Sequence, residues 1–254
     1  QLPNLKWVQS LWAGVEMLVN TFENTNVKIV RLIDPNLSDT MAEAVLAWTL
    51  YLHRDMPLYH QQQKKHIWEA KEYHPAHTKN VGILGLGELG RSAAQKLLAA
   101  NFKLCGWSQN HKSISGVKSY AGKDELIPML KTCDIVVNLL PLTDSTKHIL
   151  NNTAFNALPN DAQLINFGRG GTIDDDALLH ALNEKKIKHA VLDVFSTEPL
   201  PNEEWQWDHP NLTVLPHCAA PTNKTSAAQI VAHNIKEWLN NKIIPVSVDL
   251  KKGY

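Results

Sequence analysis

Val81-Gly82-Ile83-Leu84-Gly85-Leu86-Gly87-Glu88-Leu89-Gly90 places glycines at G-x-G-x-x-G spacing, after a short apolar strand and ahead of a helical pattern running to Ala100. Strand, glycine turn and helix in this order are what a dinucleotide's pyrophosphate requires. Gly85 permits the tight turn, Gly87 lets the backbone approach the anion, and Gly90 lets helix and strand pack closely. The helix N-terminus, with Glu88 and Leu89 in its first turn, faces the negative charge. An ordinary βα turn carrying incidental glycines is the plainer alternative, and the strand-turn-helix context argues against it.

The end of the next strand bears on which dinucleotide binds, because an acidic residue there would bond the adenosine ribose 2′-hydroxyl of NAD. Here the chain reads Trp107-Ser108-Gln109-Asn110-His111-Lys112. No carboxylate in that run opposes a 2′-phosphate, and Ser108, Gln109 and Lys112 offer donors or charge to one. The reading favours NADP(H) and leaves NAD(H) open.

Outward from this turn, apolar strands alternate with helices: Val81 to Leu84, a helix from Glu88, Phe102 to Trp107, a helix after Lys123, Ile135 to Leu140, Leu164 to Phe167, a helix near Asp175 to Asn183, Ala190 to Val194, and Leu212 to Leu215. Such alternation predicts an α/β fold with a doubly wound parallel Rossmann sheet, covered by helices on both faces. Before it, Lys6 to Ser10 and Val27 to Ile33 are β-prone, and a helix begins after Ser38 and Asp39 with Met41, Ala44, Val45, Trp48 and Leu52 on one face. A polar stretch between Pro57 and Thr78 reads as a helix followed by a connection. The expected division is a second, smaller flavodoxin-like α/β substrate domain over 1–75, completed by a C-terminal helical segment at 222–254, and a dinucleotide-binding domain over 76–221. A first domain of about seventy-five residues is small for an α/β layer, so the sequence reads as N-terminally incomplete.

Composition narrows the partners. Twenty-five basic residues balance twenty-five acidic ones, so no overall field favours nucleic acid or an anionic membrane. No apolar run reaches membrane-spanning length. Cys105, Cys133 and Cys218 lack the spacing of a disulfide framework or zinc site, which fits the cytoplasm. His74 and His77 flank Pro75 without a third ligand, and no metal is expected. A small molecule is the partner this pattern favours.

Three strand ends carry candidate chemistry. Reduction of a 2-keto acid needs a cation for the carboxylate, a proton donor for the carbonyl oxygen, and a group that keeps the donor charged. Arg169 lies in Gly168-Arg169-Gly170-Gly171, Glu198 in Asp193-Val194-Phe195-Ser196-Thr197-Glu198-Pro199, and His217 in Pro216-His217-Cys218-Ala219-Ala220. Each alone is ordinary: a loop arginine, a surface carboxylate, a structural histidine. Together they sit where ligands of open α/β sheets bind.

Arg169-Gly170, Asp193-Val194 with Glu198-Pro199, and Pro216-His217 together resemble the D-2-hydroxyacid dehydrogenase family, as do Leu140-Pro141-Leu142-Thr143 with Thr146, and Ala42-Glu43 with Arg54. Lys6 to Ser10, Trp107-Ser108, Asp193 to Pro201 and Gly253-Tyr254 are similar to its glyoxylate/hydroxypyruvate reductase A branch. The resemblance implies NAD(P)H-dependent reduction of glyoxylate, hydroxypyruvate or a like 2-keto acid to the D-2-hydroxy acid, in a homodimer. It implies that Arg169 holds the substrate's carboxylate and carbonyl, that His217 donates the proton and that Glu198 pairs with the imidazole. Leu140, Pro141, Thr146 and Asp193 are implied to line the cofactor. Ser10-Leu11-Trp12-Ala13-Gly14 resembles the substrate loop, with Trp12, Ala13 and Gly14 as binding candidates; Trp12 departs from the small residue usual there. Gln109 stands where the reductase branch carries an NADP-binding arginine. Two other readings remain: a dinucleotide-sensing binding module, and a catalytically impaired fragment of the same fold.

Overall fold

The computed structural model describes residues 4–12, 14–22 and 25–250. Among these the elements run β1 (Trp7–Gln9), α1 (Glu16–Phe22), β2 (Lys28–Val30), α2 (Pro35–His53), α3 (Met56–Lys64), β3 (Asn80–Leu84), α4 (Glu88–Ala99), β4 (Lys103–Ser108), β5 (Val117–Ala121) and α5 (Gly122–Leu130). They continue as β6 (Ile135–Asn138), α6 (Asn152–Ala157), β7 (Ala162–Asn166), α7 (Asp175–Asn183), β8 (Ile187–Leu192), β9 (Leu212–Val214) and α8 (Lys224–Asn241). By contacts the chain divides into two compact units, Gln1–Ser38 with Pro221–Tyr254, and Asp39–Ala220.

The larger unit is built on a parallel seven-stranded sheet in the order β5-β4-β3-β6-β7-β8-β9. The order reverses between β3 and β6, which places the crevice for a ligand outside their carboxyl ends. Both faces are buried, and successive residues serve opposite ones. Val81 and Ile83 of β3, with Ile135 and Val137 of β6, pack against Met41, Ala42, Val45 and Leu52 of α2 and Ala93, Ala94 and Leu97 of α4. Leu84, Val136 and Leu164 pack instead against Met129, Phe155, Leu178 and Leu182 of the helices on the other side. Two-sided burial is why these strands read as unbroken apolar runs. Cutting a side chain such as Ile83 or Leu164 back to alanine costs about 2–5 kcal/mol.

The doubly wound parallel sheet expected from the sequence is present, with differences in detail. Helix α2 starts at Pro35, ahead of Ser38, because proline suits the first helical turn and Asp34 Oδ1 accepts the Asn36 amide at 2.9 Å. Strand β5 escaped the reading altogether: it pairs with β4 alone at the sheet edge and is only partly buried, so no apolar run marks it.

In the smaller unit β1 and β2 pair in parallel, Val8 opposite Ile29. Val15, Ile29 and Val248 form its core, with Val8, Leu18, Val19 and Phe22 against them. Helix α8 is capped by Asn223, whose side chain accepts the amides of Thr225 and Ser226, and Asn234 donates to Gln9 at 2.8 Å. Among the described residues no helix is long and apolar enough to cross a membrane.

Candidate active site

The glycine turn after β3 has the shape the motif demands. Gly85 adopts φ +100°, a conformation that L side chains avoid. A methyl group on Gly90 would fall 1.9 Å from the Gly85 carbonyl oxygen, whereas one on Gly87 would meet nothing within 4 Å. The Gly90 position is therefore closed by the protein's own backbone, and the Gly87 position is open to a ligand. Gly87 and Glu88 are exposed and Leu89 is half-buried.

After β4, Trp107 is 4% exposed and its indole N–H donates to the Gly122 carbonyl at 2.8 Å. That side chain serves the core, leaving any contact with a cofactor to its backbone. Ser108 is half-buried and donates to the Asn110 carbonyl at 2.7 Å, while Gln109 and Lys112 are exposed. A carboxylate that the loop's own sequence lacks arrives from α5: Glu125 lies 3.4 Å from His111. After β6, Leu140 is buried and Pro141 half-buried. Thr146 turns its hydroxyl inward, donating to the Pro141 carbonyl at 2.7 Å and accepting the Thr143 amide at 2.8 Å. It braces this loop from within.

The structure draws the three strand-end candidates onto neighbouring turns. His217 Nδ1 lies 2.7 Å from Glu198 Oε2, and Glu198 Oε1 accepts the Phe195 amide at 2.9 Å. Phe195 in turn abuts the arginine turn, since a methyl group on Gly170 would fall 1.9 Å from its carbonyl carbon. Only a glycine after Arg169 lets the two turns meet this closely. Arg169 is half-buried, and its guanidinium donates to the Gly168 carbonyl at 2.7 Å.

His217 itself has φ +52°, which costs about 1 kcal/mol for a residue with a side chain. Asp193, 2% exposed, offsets this by accepting the next two amides, Cys218 at 2.7 Å and Ala219 at 2.9 Å. The same carboxylate, after burial, holds the Cys218 thiol above its ordinary range. The expectation for Asp193 was a cofactor contact alone. Its buried grip on the His217 turn was not legible, although a charged residue closing an apolar strand was a signal.

A second group went unread. Asn138 and Asn166, at the ends of β6 and β7, and Thr172 are fully buried and bond one another. A single polar residue ending each apolar strand was the available sign.

In the smaller unit, the Trp12 amide and carbonyl are both tied to the Ser10 hydroxyl at 3.0 Å. The Trp12 side chain is 66% exposed and Gly14 is half-buried. Ala13 and the terminal Gly253-Tyr254 lie outside the described residues.

Parallel sheet, glycine turn and strand-end cluster define a dinucleotide-binding α/β protein of the dehydrogenase class. The chain belongs to the D-isomer specific 2-hydroxyacid dehydrogenase family: residues 46–219 match its NAD-binding domain. It is similar to the D-isomer specific 2-hydroxyacid dehydrogenase of Xanthobacter autotrophicus Py2, solved with NADPH and MES, at 39% identity and a TM-score of 0.94 over 99% of this chain and 80% of that one. The NADPH-dependent glyoxylate/hydroxypyruvate reductase of Sinorhizobium meliloti, solved with NADP and sulfate, is 36% identical with a TM-score of 0.93, over 99% and 81% of the two chains. A probable 2-hydroxyacid dehydrogenase of Rhizobium etli CFN 42 is 31% identical with the same TM-score, over 99% and 81%.

Proposed function

We propose that this chain reduces a small 2-keto acid, glyoxylate or hydroxypyruvate, to the D-2-hydroxy acid with NADPH as the preferred cofactor. The observation carrying this reading is the 2.7 Å pair of Glu198 and His217, with the turn of Glu198 packed against that of Arg169. A dinucleotide whose pyrophosphate is held at the turn from Gly85 to Gly90 would supply the hydride from its reduced nicotinamide. The guanidinium of Arg169 grips the substrate carboxylate through parallel hydrogen bonds. Glu198, on Nδ1, orients the imidazole, so that Nε2 is aimed to deliver a proton to the carbonyl oxygen as it gains charge. Trp12, Ala13 and Gly14 are assigned to substrate binding.

Preference for NADPH is supported by the NADPH and NADP bound in the similar proteins. A homodimer is supported by Ile67, Trp68 and Tyr73, exposed apolar side chains on a stretch without helix or strand. Three cysteines outside any disulfide suit a cytoplasmic setting.

Initial rates of NADPH and NADH oxidation with both keto acids, in wild type and His217→Ala, test the reading. Turnover that prefers NADPH and collapses in the variant is expected. Dinucleotide binding without turnover of either acid overturns it in favour of a sensing module.

A further inference from the structure

The turn that carries Arg169 is held by groups that touch neither substrate nor cofactor in the reading above. Its anchor is the Arg169 carbonyl, which accepts the Thr172 hydroxyl at 2.6 Å, the Thr172 amide at 3.3 Å and the Asn166 side-chain amide at 3.3 Å. Asn166 Oδ1 accepts the Gly168 amide at 3.2 Å, so Asn166 grips the turn at two points. Behind these, Asn138 donates one amide proton to Asn166 Oδ1 at 2.9 Å and the other to the Thr172 hydroxyl at 2.7 Å. Asn138 Oδ1 accepts the Leu140 amide at 3.2 Å, at the start of the loop after β6. All three side chains are 0% exposed.

Each of the three side chains donates at least one hydrogen bond within this group or to the Arg169 carbonyl, and each bond excludes an alternative position of the turn. Buried amides and hydroxyls confer such definition only when fully satisfied; removing one partner strands the others away from water. The two loops also touch backbone to backbone, since a methyl group on Gly168 would fall 2.6 Å from the Leu140 carbonyl oxygen. Asn138 thus joins the turn of the proposed substrate anchor to the loop at Leu140 and Pro141 proposed to line the cofactor.

We propose that Asn138, Asn166 and Thr172 are positioning residues that hold the Arg169 turn in register with the cofactor loop, so that substrate affinity depends on the Thr172 hydroxyl. This rests on the assignment of Arg169 as the carboxylate anchor.

Thr172→Val keeps the side-chain volume and removes the hydroxyl; Thr172→Ser keeps the hydroxyl. In the intact protein, Thr172→Val is expected to raise KM for the keto acid about tenfold, with kcat and the dinucleotide Kd within about twofold of wild type. Thr172→Ser should return KM to near the wild-type value. Three results overturn the proposal: Thr172→Val with wild-type KM, equal losses in both variants, or a fall in Tm accompanied by parallel loss of keto acid and dinucleotide affinity. Arg169→Ala run beside them separates the two claims. If it abolishes substrate saturation while Thr172→Val behaves as wild type, only the positioning role fails. If Arg169→Ala keeps the wild-type KM, the anchor assignment fails and the positioning proposal with it.

Discussion

Glu198 reaches His217 with one carboxylate oxygen, at 2.7 Å from Nδ1, and holds its own loop with the other by accepting the Phe195 amide at 2.9 Å. One side chain therefore sets both the ring's orientation and the geometry of the turn next to Gly170. Glu198→Gln preserves the shape but removes the carboxylate charge beside Nδ1. The expected outcome is a kcat for keto acid reduction lowered about 10²-fold, with dinucleotide Kd unchanged by fluorescence titration.

Asp193 is the residue on which the His217 backbone leans. Asp193→Ala strands the Cys218 and Ala219 amides and releases the φ +52° conformation, at a cost of about 3 kcal/mol. Urea unfolding should show that loss, and the turnover number should fall with it. Asp193→Asn, which retains one acceptor oxygen, should fall between the two.

Two glycines three residues apart in the motif, Gly87 and Gly90, separate folding from binding. Gly90→Ala drives a methyl group into the Gly85 carbonyl, so its melting temperature should drop sharply. Gly87→Ala meets nothing in the protein. It should melt like wild type yet bind dinucleotide about tenfold more weakly, because the methyl group stands where the pyrophosphate approaches.

Stability should depend on pH through His189. Burial first, then the positive charges of His209 and Lys188, lower its pKa from 6.5 to about 4, and its Nε2 pairs with the Thr213 hydroxyl at 2.9 Å. Between these values the unfolded chain binds a proton that the folded protein does not. The stability held above pH 6.5 is thus lost as pH falls, by as much as about 3 kcal/mol below pH 4. Urea midpoints measured from pH 7 to 4.5 should decline in wild type and flatten in His189→Gln; equal slopes would assign the loss to other groups.

The alternation of apolar strands with helices and the turn from Gly85 to Gly90 determined the doubly wound sheet by themselves, because two-sided burial and phosphate binding each leave a local pattern. Arg169, Glu198 and His217 were legible for a related reason: each follows a recognisable strand, and parallel strands deliver their carboxyl ends to one edge. Strand β5 was not legible, since a half-buried edge strand needs no continuous apolar run. Only the tertiary structure decided that Asn138 meets partners 28 and 34 residues away, that Asp193 braces the turn 25 and 26 residues on, and that Glu125 reaches His111. Such pairings depend on strand order and register, which crossovers through intervening helices set, and hydrogen bonds between distant residues leave no periodicity along the chain.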